Sequence, residues 1–243
     1  MANQEPGMAE AWRGLAAQQA EDFETARDEY NAAGAQFGEG DDPYSLVPRE
    51  WYHALWGMTF VLEACAEEVD DIDENFRIAD RALKEVTTLL TQTINALHKA
   101  NEPLNIAHLT EAIRRRGIVQ QMRAREFTAR VALDPEDEVR SRPNRQRLLW
   151  AAELYKASRR DLIGRTILDP YEATRTLLWE ARSAALINDR DYVTWCIDQA
   201  RNMLVAALTA RHPKAAQIEE LYTIGVAASA NAEAARESVR FDP

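Results

Sequence analysis

The feature that most constrains the fold is one apolar stripe along residues 76–97. Its members recur every three or four positions, which is the repeat of one face of an α-helix. They are Phe76, Ala79, Leu83, Val86, Leu90, Ile94 and Leu97. The stripe predicts a single helix that ends near residue 100. Because no stretch shows the period-two alternation of a strand, the sequence predicts an all-α protein.

The same periodicity recurs along most of the chain and predicts seven or eight helices. They lie at about 8–33, 48–69, 76–100, 103–133, 143–166 and 191–210, with one more that starts at Pro170 and a last one that ends near 239. Short connections between most of them make sequential helices antiparallel neighbours. We therefore expect helical hairpins in a solenoid or an irregular bundle. Residues 1–243 are expected to form one domain, with a possible sub-boundary near 134–143.

The composition is that of a globular chain without a membrane segment. Hydrophobic residues make up 46% and charged residues 28%, and no apolar run approaches the roughly 20 residues of a membrane span. The first residues lack the basic and apolar regions of a signal peptide. The two cysteines, Cys65 and Cys196, form no CxxC pair. These features predict a cytoplasmic protein that does not bind membranes.

Charge is distributed unevenly along the chain. The net charge is -11, but residues 1–108 carry 21 acidic and 7 basic side chains, whereas residues 109–166 carry 14 basic and 8 acidic ones. Such regions of opposite sign attract each other within one chain or between chains. The overall acidic excess argues against nucleic acid as the main partner.

Arginines dominate the basic region and form the first candidate binding site. They are Arg114, Arg115, Arg116, Arg123, Arg125, Arg140, Arg142, Arg145 and Arg147. They predict a docking surface for an acidic protein, a nucleic-acid backbone or the acidic part of a neighbouring copy. The alternative is a solvated surface with salt bridges to Glu111, Glu126, Glu153 and Asp161. Trp51 and Trp56 are the candidate apolar anchor beside these arginines.

The N-terminal region resembles the tetratricopeptide-repeat family. The residues that carry the resemblance are Trp12, Leu15 and Ala16 on a first helix, and Asp22, Phe23, Ala26, Tyr30 and Ala33 on a second. The second helix fits the family pattern, whereas the first lies about two residues too close to it. The similar features near Phe76 and Tyr192 do not keep the 34-residue period of that family. The resemblance implies protein or peptide binding on a concave helical surface.

The acidic stretch at 67–74 supports a second hypothesis. Asp70, Asp71 and Glu74 resemble the DDxx(D/E) motif of isoprenoid diphosphate enzymes, in which carboxylates hold Mg²⁺ and a diphosphate. With Glu63 and Glu67, the same acids resemble the metal ligands of all-α nucleotide pyrophosphohydrolases. The alternative is structural: Asp71 caps the next helix and Glu74 completes a capping box.

These observations favour a non-catalytic adaptor or assembly subunit without a cofactor. Its expected partner is another protein or a second copy of the chain. A small metal-dependent diphosphate enzyme and a nucleic-acid-binding assembly subunit remain as alternatives.

Overall fold

The computed structural model describes residues 6–38, 42–66, 71–100, 105–135, 138–139, 141–163 and 169–241. Its regular elements are ten α-helices, and the described residues contain no strand, which confirms the all-α prediction. The helices are α1 (Met8–Gln19), α2 (Phe23–Ala35), α3 (Pro43–Cys65), α4 (Ile72–Ala100), α5 (Asn105–Leu133), α6 (Arg142–Leu162), α7 (Pro170–Leu186), α8 (Arg190–Thr209), α9 (Ala215–Ala228) and α10 (Ala232–Phe241). Consecutive helices pack in adjacent pairs through most of the fold.

The helix count exceeds the predicted seven or eight because two predicted helices are interrupted. Between α1 and α2, Glu21 takes a left-handed conformation with φ of 60°. The Asp22 side chain then accepts a hydrogen bond from the Thr25 amide at 3.1 Å, which starts a new helix. Between α9 and α10, the Asn231 side chain accepts a hydrogen bond from the Ala234 amide at 2.9 Å. At each cap, a side chain pairs with a backbone amide locally, so that a new helix starts there and one long helix does not form.

Helix α3 begins earlier than the sequence analysis predicted. We expected it to start at Pro48, but it starts at Pro43, and Pro48 lies within it. The Asp42 side chain accepts hydrogen bonds from the Tyr44 and Ser45 amides at 3.0 and 3.1 Å. An aspartate cap followed by proline at the first helical position is a stronger start signal than Pro48 alone.

The chain divides into two compact units, Met1–Val119 and Gln120–Pro243, and the division falls within α5. The single-domain assignment with a sub-boundary near 134–143 therefore stays a prediction. In the first unit, α1, α2, α3 and α4 pack in chain order, each against the next. The α4 stripe forms much of this core, since all seven of its predicted apolar residues are at most 4% exposed.

The second unit is organised around α7. This helix contacts α6, α8, α9 and α10, and nearly all of its residues are buried. Its buried side chains include charged ones as well as apolar ones. Glu180 and Arg182 are 2% and 1% exposed. Charged groups are rarely buried so completely unless they are paired, so α7 is the first place to look for a functional site.

The contact between α1 and α2 depends on a glycine, which gives a stability prediction. A Cβ atom at Gly14 would lie 2.8 Å from the Cε1 atom of Tyr30, a ring that is only 2% exposed. Gly14→Ala is therefore expected to lower the free energy of unfolding by about 1–3 kcal/mol, measured by urea denaturation. Gly34→Ala is the matched control, because a Cβ there has ordinary contacts of 3.8 Å or more. Equal stability of both variants would contradict this packing.

Within the described residues, no helix combines the length and apolar character needed to cross a membrane.

Candidate functional site

The α6–α7 hairpin is closed where α6 ends and α7 begins, and it is open at the opposite end. At the closed end, the Asp169 amide donates a hydrogen bond to the Leu162 carbonyl at 3.1 Å. The hydroxyl groups of Ser158 and Thr176 lie 3.2 Å apart and join the two helices. At the far end there is instead a cavity of about 670 Å³. We call this cavity the α6–α7 groove; it is lined by Arg145, Leu148, Leu149, Ala152, Glu180, Ser183, Ala184, Ile187, Asp189 and Tyr192.

Each wall of the groove is one face of a helix. The four lining residues from α6 follow the spacing i, i+3, i+4, i+7, as do the three from α7 together with Ile187, which directly follows that helix. This spacing places each set in a row. Ala152 and Ala184 are too small to fill the space between the helices. Leu149 and Ile187 are 61% and 43% exposed. The groove is therefore an accessible and largely apolar surface.

The buried polar residues of the α7 wall, Glu180 and Ser183, form what we call the floor of the groove. Glu180 accepts a hydrogen bond at 2.5 Å from the hydroxyl of Tyr192, and its other oxygen forms an ion pair with Arg159. Burial raises the pKa of Tyr192 above its usual value, so the hydroxyl keeps its proton and remains a donor. Arg159 also lies over the ring of Trp195, 5.2 Å from its centre. The charge of Glu180 is thus compensated from within the fold.

A second polar group on the floor has no hydrogen-bond partner among the described residues. Ser183 is 6% exposed and lines the groove one helical turn beyond Glu180. Its hydroxyl forms no hydrogen bond with any of the described residues. Cys196 lies nearby on α8, and burial raises the pKa of its thiol to about 12, so this cysteine is an unreactive part of the packing.

One of the predicted docking arginines, Arg145, lines the groove. Arg142 precedes it by three residues on α6, and both are exposed. Neither forms an ion pair with the described part of the chain. Arg147, by contrast, forms an ion pair with Asp134 at 3.4 Å and donates a hydrogen bond to the side chain of Asn144. Arg140 lies outside the described residues.

Most arginines of α5 form ion pairs or ring contacts with other residues of the protein. Arg114 and Arg115 pair with Glu111 at 3.6 and 2.6 Å, so the predicted salt bridges to that residue are confirmed. Arg115 also lies over the ring of Trp51, 5.7 Å from its centre. Arg116 is partly buried. The first candidate anchor, Trp51, is therefore in contact with Arg115, one of the predicted docking arginines.

Farther along α5, one predicted binding arginine belongs to the core. Arg123 lies over the ring of Phe127 at 5.6 Å. Arg125 is only 2% exposed and lies over the ring of Trp179 at 4.8 Å. The expectation that Arg125 contacts a partner is wrong for this structure, because its guanidinium is enclosed by the protein.

Trp56, the other candidate anchor, lines a smaller cavity between α3 and α4. Its ring packs against Phe60 with the ring centres 4.9 Å apart, and against His53 at 5.4 Å. The cavity measures about 270 Å³. Its lining comprises His53, Trp56, Arg77, Ile78, Arg81, Ala82 and Glu85. The structure thus places Trp51 and Trp56 in different surroundings.

The acidic stretch contributes a helix cap. The Asp71 side chain accepts a hydrogen bond from the Glu74 amide at 2.9 Å, which confirms the predicted cap. Arg77 donates two hydrogen bonds, of 2.6 and 2.5 Å, to the Glu74 carboxylate. Glu74 therefore forms an ion pair with Arg77 instead of completing the predicted capping box. This bonding lowers the pKa of Glu74. Asp70 lies outside the described residues, among which no cluster of three potential metal ligands occurs.

Sequence analysis missed the central residues of the groove. Glu180 and Arg182 flank Ala181 within the mainly apolar run from Leu177 to Leu186, and these charges among apolar neighbours were the available signal. Leu149 continues the run Leu148–Trp150, in which three large apolar residues in succession cannot all face one core.

Comparison of the chain with family models, curated protein sequences and solved structures found no match in any of the three.

Proposed function

We propose that this chain is a non-catalytic protein-binding subunit that holds an amphipathic helix of its partner in the α6–α7 groove. The observation that carries the proposal is the geometry of the groove: two rows of residues at helical spacing enclose an open apolar space of about 670 Å³. Grooves between helices bind partner helices through anchors at positions i, i+3, i+4 and i+7. The exposed Leu149 and Ile187 supply apolar surface for such anchors.

The polar groups of the groove specify the orientation of the partner helix. Arg145 and Arg142 favour an acidic residue at the end of the partner helix that lies near them. The floor favours a side chain that donates or accepts a hydrogen bond at the Ser183 hydroxyl. Glu180 is already paired with Arg159 and Tyr192, so it supports a neutral contact better than an additional cation.

The proposal includes a tetratricopeptide-like arrangement of helical hairpins. The α1–α2 hairpin supports it, because Ala26, Tyr30 and Ala33 are all buried at the contact with neighbouring helices. We also infer that the protein acts as a scaffold in the cytoplasm. The support is that both cysteines are buried free thiols, as is usual in a reducing compartment.

The test is binding of a designed helical peptide of about four turns, with leucines at i, i+3, i+4 and i+7 and glutamates at one end. Titration is followed by the intrinsic tryptophan fluorescence, to which Trp150 contributes; this residue is 51% exposed and adjacent to Leu149. Leu149→Glu is expected to weaken binding at least tenfold, about 1.4 kcal/mol, because it places a charge on the apolar wall.

Val205→Glu is the matched control. Val205 is 53% exposed but lies on α8 outside the groove, so this variant is expected to bind the peptide as the unmodified chain does. A companion peptide with lysines replacing the glutamates tests the charge preference of the rim and is expected to bind more weakly. Equal binding by the Leu149→Glu and unmodified proteins would overturn the proposal.

A further inference from the structure

We infer that the groove accepts helix α1 of a second copy of this chain, with Trp12 as the anchor. This inference rests on the proposed function and specifies the partner. Trp12 is 65% exposed, the highest value among the large apolar side chains of the described residues. Ala9 and Ala16, three residues before and four after it, are exposed as well and lie on the same side of α1. Helix α1 therefore presents outward the apolar row that a helix-binding groove recognises.

The charges of the two surfaces are complementary. The α1–α2 hairpin, Met8–Ala35, carries six acidic and two basic side chains, whereas α6 carries six basic and two acidic ones. Their net charges are thus -4 and +4. Opposite charges of this size steer association and fix the orientation of two surfaces.

The charges available for contact strengthen this match. Both basic residues of the hairpin are already neutralised within the chain: Arg13 pairs with Glu10 and Glu29, and Arg27 pairs with Glu63. In contrast, four acids of the hairpin are exposed and form no ion pair with the described residues. They are Glu21, Asp22, Glu24 and Asp28. On the groove side, Arg142 and Arg145 are the corresponding exposed cations.

A tryptophan suits the groove as an anchor. Aromatic side chains bury about 150–250 Å² each, and tryptophans dominate binding energy when they fill a pocket at the centre of an interface. The indole N–H also supplies a donor for the Ser183 hydroxyl on the floor. Small residues at 9 and 16 allow α1 to approach both walls closely while Trp12 enters the space between them.

The geometry of this contact determines the kind of assembly. The anchor and the groove are different surfaces, so each copy offers one of each and the contact is head-to-tail. Such contacts form rings or open chains of copies, unlike the symmetric contact of a two-fold dimer. Added salt is expected to weaken the assembly, because the rim charges are exposed.

Mixing of two variants tests the inference by sedimentation velocity over a range of concentrations. The unmodified chain is expected to associate as concentration rises. Trp12→Ala, which retains the groove but lacks the anchor, and Leu149→Glu, which retains the anchor but has a damaged groove, are each expected to remain monomeric. An equimolar mixture of the two retains one intact contact and is expected to form a one-to-one dimer.

The outcomes separate this inference from the proposed function. A monomeric unmodified chain, self-association of Trp12→Ala equal to that of the unmodified chain, or failure of the mixture to form the dimer would each overturn the inference. If the chain stays monomeric while the designed peptide binds in a manner that Leu149→Glu abolishes, the groove recognises the helix of another protein and the proposed function stands. If the peptide also fails to bind, both are wrong.

Discussion

Replacing Trp179 with alanine is expected to lower the free energy of unfolding by about 3–5 kcal/mol. The indole is 1% exposed, so its removal leaves a large cavity at the centre of the second unit. Two guanidinium groups also lie over its ring, that of Arg125 at 4.8 Å and that of Arg182 at 4.4 Å from the ring centre. Desolvated cation–π contacts of this kind contribute about 2 kcal/mol or more. Urea unfolding followed by circular dichroism measures the loss.

Trp12→Ala is the control for this prediction, because it removes the same side chain from an exposed position. At a concentration where the chain is monomeric, it is expected to change stability by no more than about 0.5 kcal/mol. Trp179→Phe should lie between the two, since it retains an aromatic face for the guanidinium groups. If Trp179→Ala unfolds at the same urea concentration as the unmodified chain, the described packing of α7 is incorrect.

Replacing Glu180 with alanine is the second change with a large expected effect. It leaves the Arg159 guanidinium without its carboxylate in a position where the Arg159 side chain is only 16% exposed. It also leaves the Tyr192 hydroxyl without its acceptor. Breaking a buried ion pair from one side costs about 3–5 kcal/mol. We expect a corresponding shift in the urea midpoint.

A double variant distinguishes the loss of pairing from the loss of packing. Arg159→Met combined with Glu180→Met removes both charges and retains most of the side-chain volume, so it is expected to recover much of the lost stability. Glu153→Ala is the control, because the Glu153 side chain is 78% exposed and its contact with Lys156 is 4.0 Å long. If the double variant is as unstable as Glu180→Ala, the ion pair is not the source of the effect.

The first unit shows what hydrophobic spacing predicts well. The stripe from Phe76 to Leu97 identified α4 and its buried face, because one side of that helix meets solvent and the other meets the core. Spacing was less informative for α7, which is buried on nearly all sides. A polar residue in a sequence normally marks a solvent-facing position. On α7, however, Glu180 and Arg182 face other buried polar or aromatic groups.

Distance along the chain explains what the sequence analysis could not predict about the candidate site. Arg142 and Arg145 are exposed, and their role as docking residues stays a prediction. Arg125 was misassigned because its contact, Trp179, lies 54 positions away, and no local pattern connects them. The groove itself was not predictable, because its lining combines residues of three helices that lie as far apart in sequence as Arg145 and Tyr192, and no local pattern connects them.

The central position of α7 links the groove to the rest of its unit. One face of α7 is a wall of the groove, while the same helix contacts α8, α9 and α10. A helix bound in the groove therefore contacts α7, the helix against which α8, α9 and α10 pack. Binding to the folded state alone raises its apparent stability by mass action. Hydrogen-exchange protection should consequently increase in α9 and α10, which contribute no lining residue to the groove.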